Sequence, residues 1–384
     1  MKIVHITENH IDGWGYQENL LPLYQKRAGH DVAVISDNDH LRYIQNPALA
    51  REIIGRGREY EWDGIRIYKI KTYLTTTTDA LFCRGVYKIL EKEKPDVIFH
   101  HNVNISTLTV AARYRRRHPR VTLYADNHAD WINESKNRLW HFFYCKCLIP
   151  LQVGRIGDKV KYYIGVSPLR CRYLEEVYKV PKEKIRFLPI GCDTEQADQV
   201  TEERAGLRAR FHLPEDAFVV VSGGKMDRSK GTLELKAACE EMRQAGLDLR
   251  LVLFGKRDKE LDAAVEGKDW IRCLDWCNRE TTMSLLKLAD VACWPWLHTT
   301  LIEDAVAAGT PIVVKWSDNV SHFVQEKAGV FLQRGDCEEL VSALKEIAQH
   351  PALYRERVGI AREKYSYRTL VRVLEDESFC DCHG

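Results

Sequence analysis

The chain has 384 residues, a net charge of +2 and 29% charged residues. That length suits two domains of ordinary size, and a near-neutral chain with scattered aromatics excludes a nucleic-acid-binding basic stripe. Twelve cysteines in a chain this long, with no secretory leader before them, read as reduced thiols of a cytoplasmic enzyme rather than a disulfide scaffold.

Met1 to Thr7 is predicted as an apolar strand, followed by the glycine turn Gly13-Trp14-Gly15 and a helix from about Tyr16 to Ala28. Gly29-His30 closes that helix, and Asp31 to Ser36 forms a second apolar strand. Strand, turn, helix, strand is a βαβ unit, whose doubly buried parallel strands account for the lack of alternation. The series continues through a strand at Val97–Phe99, a helix near Ser106 to Arg116 and a strand at Val121–Ala125. In that helix region Arg113, Arg115, Arg116, Arg117 and Arg120 form a basic knot, either a solvated helix end or a face for anionic lipid or an acidic acceptor. The apolar run Trp140–Leu151 is too short to span a bilayer and is broken by Pro150. It predicts a buried helix, with a membrane-surface anchor as the other reading. A strand at Tyr162–Val166 ends in Ser167-Pro168, a cap followed by a first-turn proline.

Around Ile185 to Thr194 a strand ends in a turn, and the charged stretch Glu195–Arg210 follows. This reads as the crossing between a first domain, 1–193, and a second, 194–364, with 365–384 a terminal helix and tail. A second α/β series runs through Phe218–Gly224, Leu249–Gly255, Trp270–Leu274, Val291–Trp294 and Ile312–Val314. Cys145-x-Cys147 and Cys380-x-Cys382-His383 lack the spacing of a zinc knuckle, so no metal is expected.

Three segments carry chemistry. Leu301 to Val314 reads as a short helix capped by Thr299 or Thr300, ended by Gly309-Thr310-Pro311 and followed by an apolar strand. Free first-turn amides suit a diphosphate, and Glu303 one turn in is placed to accept from a ribose. Gly223-Gly224-Lys225-Met226-Asp227-Arg228-Ser229-Lys230-Gly231 follows the first strand of the second series. Its glycines let backbone approach a ligand and its cations neutralise phosphate, although its spacing is not that of a P-loop. Asp126-Asn127-His128-Ala129-Asp130 stands at the C-terminal end of a strand, where ligands sit in open α/β sheets; His100-His101-Asn102 occupies a similar place.

These segments resemble the donor signature of retaining GT-B glycosyltransferases of the large family-four, group 1 type. There the pattern runs Glu, seven residues, Glu-Ala, a small residue, Gly, any residue, Pro and two valine-like residues. Glu303 takes the second glutamate, Asp304 stands where alanine is usual, and Pro295 stands where the first glutamate would be. His298 or a backbone amide is the candidate substitute for that glutamate.

The resemblance implies two Rossmann-like domains facing a central cleft, with the terminal helix crossing back to the first. It implies transfer of a sugar from a UDP- or GDP-type donor to an acceptor hydroxyl with retention, in glycan, glycolipid or glycoconjugate synthesis. The nucleotide sugar is a substrate, so no cofactor is expected, and the acceptor is a glycan, a lipid-linked or a small molecule. Lys225 falls on the family's diphosphate-holding arginine and Lys230 on its lysine; with His128 near the sugar, these are the candidate catalytic groups. Donor contacts are expected from Gly15, Gly224, Lys225, Arg228, Lys230, His298, Thr299, Thr300, Leu301 and Glu303, and acceptor-side contacts from Gly13, Trp14, Tyr16, Asp126 and Asp130. The enzyme is expected to be metal-independent and cytoplasmic, with peripheral membrane contact through Arg113–Arg120 as one option. Rival readings are a nucleotide-sugar epimerase of similar fold and a sugar-nucleotide-binding protein that has lost catalysis.

Overall fold

The computed structural model describes residues 1–8, 10–37, 51–52, 55–75, 80–132 and 137–379. Cys380, Cys382 and His383 lie outside the described residues. The chain divides into two compact units, Met1–Ile190 with Leu370–Gly384, and Gly191–Thr369.

In the first unit β1 (Lys2–Thr7), β2 (Asp31–Asp37), β3 (Glu59–Trp62), β4 (Ile65–Ile70), β7 (Val97–His100), β8 (Thr122–Asn127), β9 (Tyr162–Gly165) and β10 (Ile185–Phe187) make one sheet. A separate antiparallel pair, β5 (Thr72–Thr75) and β6 (Ala80–Cys83), lies between β4 and β7 in sequence. The order of the large sheet is β10-β9-β8-β7-β1-β2-β4-β3, parallel except for the β3–β4 hairpin. Asp63 and Gly64 turn that hairpin with φ of 49° and 74°. Asp-Gly is a favoured pair for two-residue hairpins because both positions need positive φ; the hairpin was signalled in the sequence and not read there. Helices Gln17–Arg27 and Thr107–Arg117 lie close to their expected bounds. Ser167 caps the helix Pro168–Glu176 by accepting from the Arg170 amide at 3.3 Å.

The buried-helix expectation for Trp140–Leu151 is half wrong. Arg138–Trp140, the π-helical His141–Leu148 and Ile149–Ile156 follow one another without a break. Tyr144, Ile149 and Val153 face the core, whereas Leu139, Phe142, Phe143, Leu148 and Leu151 face solvent. The turns of this segment place apolar residues on both sides of the helix, and the first unit has core for only one.

The second unit is a fully parallel sheet of β11 (Phe218–Met226), β12 (Leu249–Arg257), β13 (Ile271–Leu274), β14 (Val291–Trp294), β15 (Ile312–Lys315) and β16 (Gly329–Leu332), ordered β13-β12-β11-β14-β15-β16. Alternate residues supply two cores: Val219, Val221, Ala292 and Trp294 on one face, Val220, Leu251, Cys293 and Val313 on the other. Burial on both faces is why these strands read as continuous apolar runs. The charged stretch after the boundary forms two short helices, Thr194–Gln199 and Arg204–Arg210.

The final helix, Tyr367–Asp376, buries Tyr367, Leu370, Val371 and Leu374, the one-face spacing of an amphipathic helix. Its end is tied to the first unit: Glu375 pairs with His30, and Glu377 accepts from Tyr124 and Lys161.

Candidate active site

In the second unit β11 runs two residues further than its apolar stretch, so Lys225 belongs to the strand and not to a loop. Gly224 pairs with Gly255 and Lys225 with Lys256 across β12. The two glycines take φ of 103° and 111°, and a Cβ on Gly255 would lie 2.3 Å from the Gly224 carbonyl oxygen. Only glycine admits this close approach. A Cβ on Gly224 would lie 3.5 Å from Leu301, which brings the strand end beside the start of the helix Leu301–Ala307. Gly231, at φ 71°, packs its backbone on Pro295 and Trp296, so the turn carrying Lys230 rests on the loop that leads into the same helix.

The Lys225 side chain is exposed and that of Lys230 half-buried, and neither ammonium has a hydrogen bond or ion pair among the described residues. Burial pushes the Lys230 ammonium below its ordinary pKa, opposed by Asp227 and reinforced by Lys225. Two cations near each other without a carboxylate in bonding reach are suited to an anion that arrives from outside. Arg228 does not join them: its guanidinium is engaged twice by Glu260, at 2.6 and 2.9 Å.

The helix behaves at its ends in two different ways. Gly309 takes the left-handed C-terminal conformation at φ 73°. At the other end Thr300 makes no side-chain cap, and Thr299 offers only a 3.5 Å contact to the Leu301 amide. The expected threonine cap is therefore weak. Glu303 is 3% exposed; its Oε1 meets His298 Nε2 at 3.1 Å, and its Oε2 has no hydrogen-bond partner among the described residues. Burial pushes the Glu303 carboxyl up, but His298 and a backbone amide more than offset this and hold it below its usual value. His298 is thus placed to orient Glu303.

In the first unit a chain of polar groups crosses the core. Gln25 Oε1 meets His5 Nε2 at 2.6 Å, His5 Nδ1 meets His101 Nε2 at 3.0 Å, and His101 Nδ1 meets Asp126 Oδ2 at 2.8 Å. Burial lowers the His5 pKa to about 3, so His5 is neutral. With its Nε2 donating to Gln25, its Nδ1 accepts, and both ring nitrogens of His101 act as donors; the Gln25 amide orientation sets this polarity. His128 Nε2 reaches the same Asp126 oxygen at 3.3 Å, and Asp126 Oδ1 accepts from the Asn102 amide at 2.8 Å. Asp126 is fully buried; burial pushes its carboxyl up, yet His101 and His128 hold it well below the usual range. Burial lowers the His128 pKa, and the adjacent Asp126 raises it by more, so the net shift is upward.

Two acceptor-side expectations need correcting. Asp126 has both oxygens bonded inside the core and holds the two imidazoles rather than meeting an acceptor. Asp130 accepts from Arg170 Nε at 3.2 Å and from the Ile132 amide at 2.9 Å, and serves the loop. His101, Asp126 and His128 also place three metal-ligand atoms within 4.8 Å of one another, but the hydrogen bonds just described already engage them. Nearby, Gly13 turns with φ 79°, the Trp14 ring edge meets the Tyr16 ring, Gly15 links them, and Asp12 is clamped by Arg56 at 2.5 Å and Tyr60 at 2.8 Å. His5, Gln25 and the Asp12 clamp were not read from the sequence; their partners are far away along the chain.

Residues 23–196 match the family model described as Glycosyltransferase Family 4, and residues 217–350 match the one described as Glycosyl transferases group 1. The chain belongs to the group 1, family-four glycosyltransferases. No curated protein matches it in sequence. Sucrose-phosphate synthase from Thermosynechococcus elongatus is 16% identical with a TM-score of 0.65, covering 98% of both chains. HepE from Anabaena in complex with UDP is 14% identical with a TM-score of 0.70, covering 98% of this chain and 99% of that one. A glycosyltransferase from Rickettsia africae is 14% identical with a TM-score of 0.66, covering 98% and 97%. This glycosyltransferase has the GT-B fold, two parallel-sheet α/β domains.

Both departures of this glycosyltransferase from the family signature have a local cause. Pro295 fills the space under Gly231, and a Cβ on Gly335 would strike its carbonyl at 2.6 Å. Asp304, in the alanine position, takes both oxygens to Arg279 Nη1 at 2.8 and 3.0 Å, while Arg279 Nη2 holds Asp193 at 2.9 Å. An alanine there would leave the half-buried Arg279 with Asp193 alone.

Proposed function

We propose that the enzyme moves a sugar from a UDP- or GDP-type donor to an acceptor hydroxyl with retention of anomeric configuration. The observation that carries this reading is the Lys225–Lys230 pair, without an acidic partner in bonding reach, beside the first turn of Leu301–Ala307 and Glu303. HepE, which shares the fold, has been solved with UDP and with UDP-glucose. As the anomeric bond breaks, negative charge grows on the departing diphosphate oxygen. The two ammonium groups and the helix amides stabilise that charge more in the transition state than in the ground state. The oxygen of Glu303 left without a partner is available to a ribose hydroxyl. His128, held by Asp126, faces the sugar or acceptor in this scheme. The lysines take the part a metal plays elsewhere, so a chelator should leave the rate unchanged; a rate abolished by EDTA and restored by a divalent ion would refute that part.

The same reading places the enzyme in the cytoplasm, in glycan, glycolipid or glycoconjugate synthesis, with no resident cofactor. Nine cysteines between Cys145 and Cys337 are free thiols, in keeping with that compartment. Pro295 in place of glutamate favours one second reading, a nucleotide-sugar binder or epimerase. Incubating the protein with donors alone and with candidate acceptors separates the outcomes. Glycoside with the donor's anomeric configuration is expected; an epimer, or no turnover with any donor, would exclude transfer.

A further inference from the structure

Among the described residues no helix is long and apolar enough to cross a membrane. One helical face is nevertheless apolar toward solvent. Along 138–156, Leu139 is 72% exposed, Phe142 53% and Phe143 59%, with Leu148 and Leu151 about as open. The opposite face is spent on the core through Tyr144, Ile149 and Val153. Large side chains exposed together on one element mark an interaction surface, since isolated ones scatter.

The charges on this face select the occupant. Arg138, Lys146 and Arg155 are exposed among the apolar residues, and between Glu134 and Asp158 the sequence contains no acidic residue. The helix Thr107–Arg117, which packs against Ile149–Ile156, ends in exposed Arg116 and Arg117. Exposed phenylalanine and leucine flanked by cations is the composition of a face lying in the plane of a bilayer interface. A protein partner would call for charges of both signs across the face, and within 138–156 every charged residue is a cation.

We infer that the outer face of 138–156 docks on an anionic lipid bilayer, its rings and leucines entering the headgroup boundary and its cations pairing with lipid phosphate. This binding needs no nucleotide sugar, so it stands or falls apart from the transfer reaction.

The test is flotation of the full chain with vesicles of phosphatidylcholine, or of phosphatidylcholine with roughly a third phosphatidylglycerol, at about 0.1 M salt. The wild type should float with the anionic vesicles and stay behind with the neutral ones. Each cation near such a surface is worth about five-fold in affinity. Lys146→Glu with Arg155→Glu should therefore weaken binding by more than about ten-fold, and raising the salt should do the same. Phe142→Ser with Phe143→Ser should weaken it comparably, and both double variants should melt at the wild-type temperature because the side chains are exposed. Equal flotation with both lipids, or none, would overturn the inference. So would binding that survives both double variants and is lost in Arg116→Glu with Arg117→Glu. A concentration-dependent dimer abolished by the phenylalanine variant would assign the face to a second copy and overturn it too.

Discussion

At Asp126, burial and charge pull in opposite directions. The carboxylate sits in the core with no access to water, and it stays ionised because two imidazoles and a backbone amide surround it. The same contact raises the His128 pKa against the effect of burial. Asp126→Asn removes the charge that raises His128 most, leaving burial and Arg170 against the weaker pull of Glu18, so the His128 ring should titrate lower by NMR than in the wild type. An unmoved titration would disconnect the two residues. The variant should also lose stability, of order 3–5 kcal/mol, because the buried carboxylate that both imidazoles bond is gone. At the other site His298→Ala removes the group that orients Glu303. The Glu303 carboxyl should then rise toward protonation and nucleotide affinity should fall by about ten-fold, near the worth of one hydrogen bond to a charged group. Unchanged affinity by titration calorimetry would deny Glu303 its part. Local order carries Lys225, Lys230 and Glu303 into a recognisable sequence pattern. Arg228 shows the limit, because its partner Glu260 lies 32 positions on and no local rule names it.

Elements were legible where they were buried on both faces. The strands at Phe218, Leu249, Val291 and Ile312 read as apolar runs because both sides of the sheet are covered. The β3–β4 hairpin and β16 were missed. Their runs are short, and β3 is charged and half-exposed, as edge strands often are. The helix 138–156 was misjudged because apolar content says a residue prefers burial, not that the fold has core to offer it. Arg279 belongs to this scale, since it joins the helix Arg279–Leu288 to Leu301–Ala307 and to Asp193. Arg279→Met leaves two carboxylates in a desolvated place and should cost about 3–5 kcal/mol in chemical unfolding, while Arg279→Met with Asp304→Ala should recover part of that. Additive losses in the double variant would show that the pair is not coupled.

For the whole molecule, acid is the revealing stress. His5, His100 and His322 are buried, and burial lowers their pKa values to about 3, 4 and 3. Unfolded, each binds a proton near 6.5, so folding is favoured above that pH and penalised progressively below it. At pH 5 each should withdraw about 2 kcal/mol, His5 and His100 from the first unit and His322 from the second. His128, whose pKa is raised, acts in the opposite sense and offsets part of this in the first unit alone. Thermal stability should be flat near pH 7 to 8 and fall steeply toward pH 5; a profile level across that range would contradict the burial of these rings. The two-domain plan was visible in the two series of parallel strands. The units divide between Ile190 and Gly191, three residues before the expected division, within a buried apolar stretch that carries no composition break. In the proposed function, cations and a carboxylate of the second unit grip a nucleoside diphosphate. Calorimetric titration of UDP and GDP into the wild type, Lys230→Ala and Glu303→Ala tests it most directly. One nucleotide should bind the wild type and bind both variants at least about ten-fold more weakly, with their melting temperatures retained. Equal affinity in all three proteins would contradict the account.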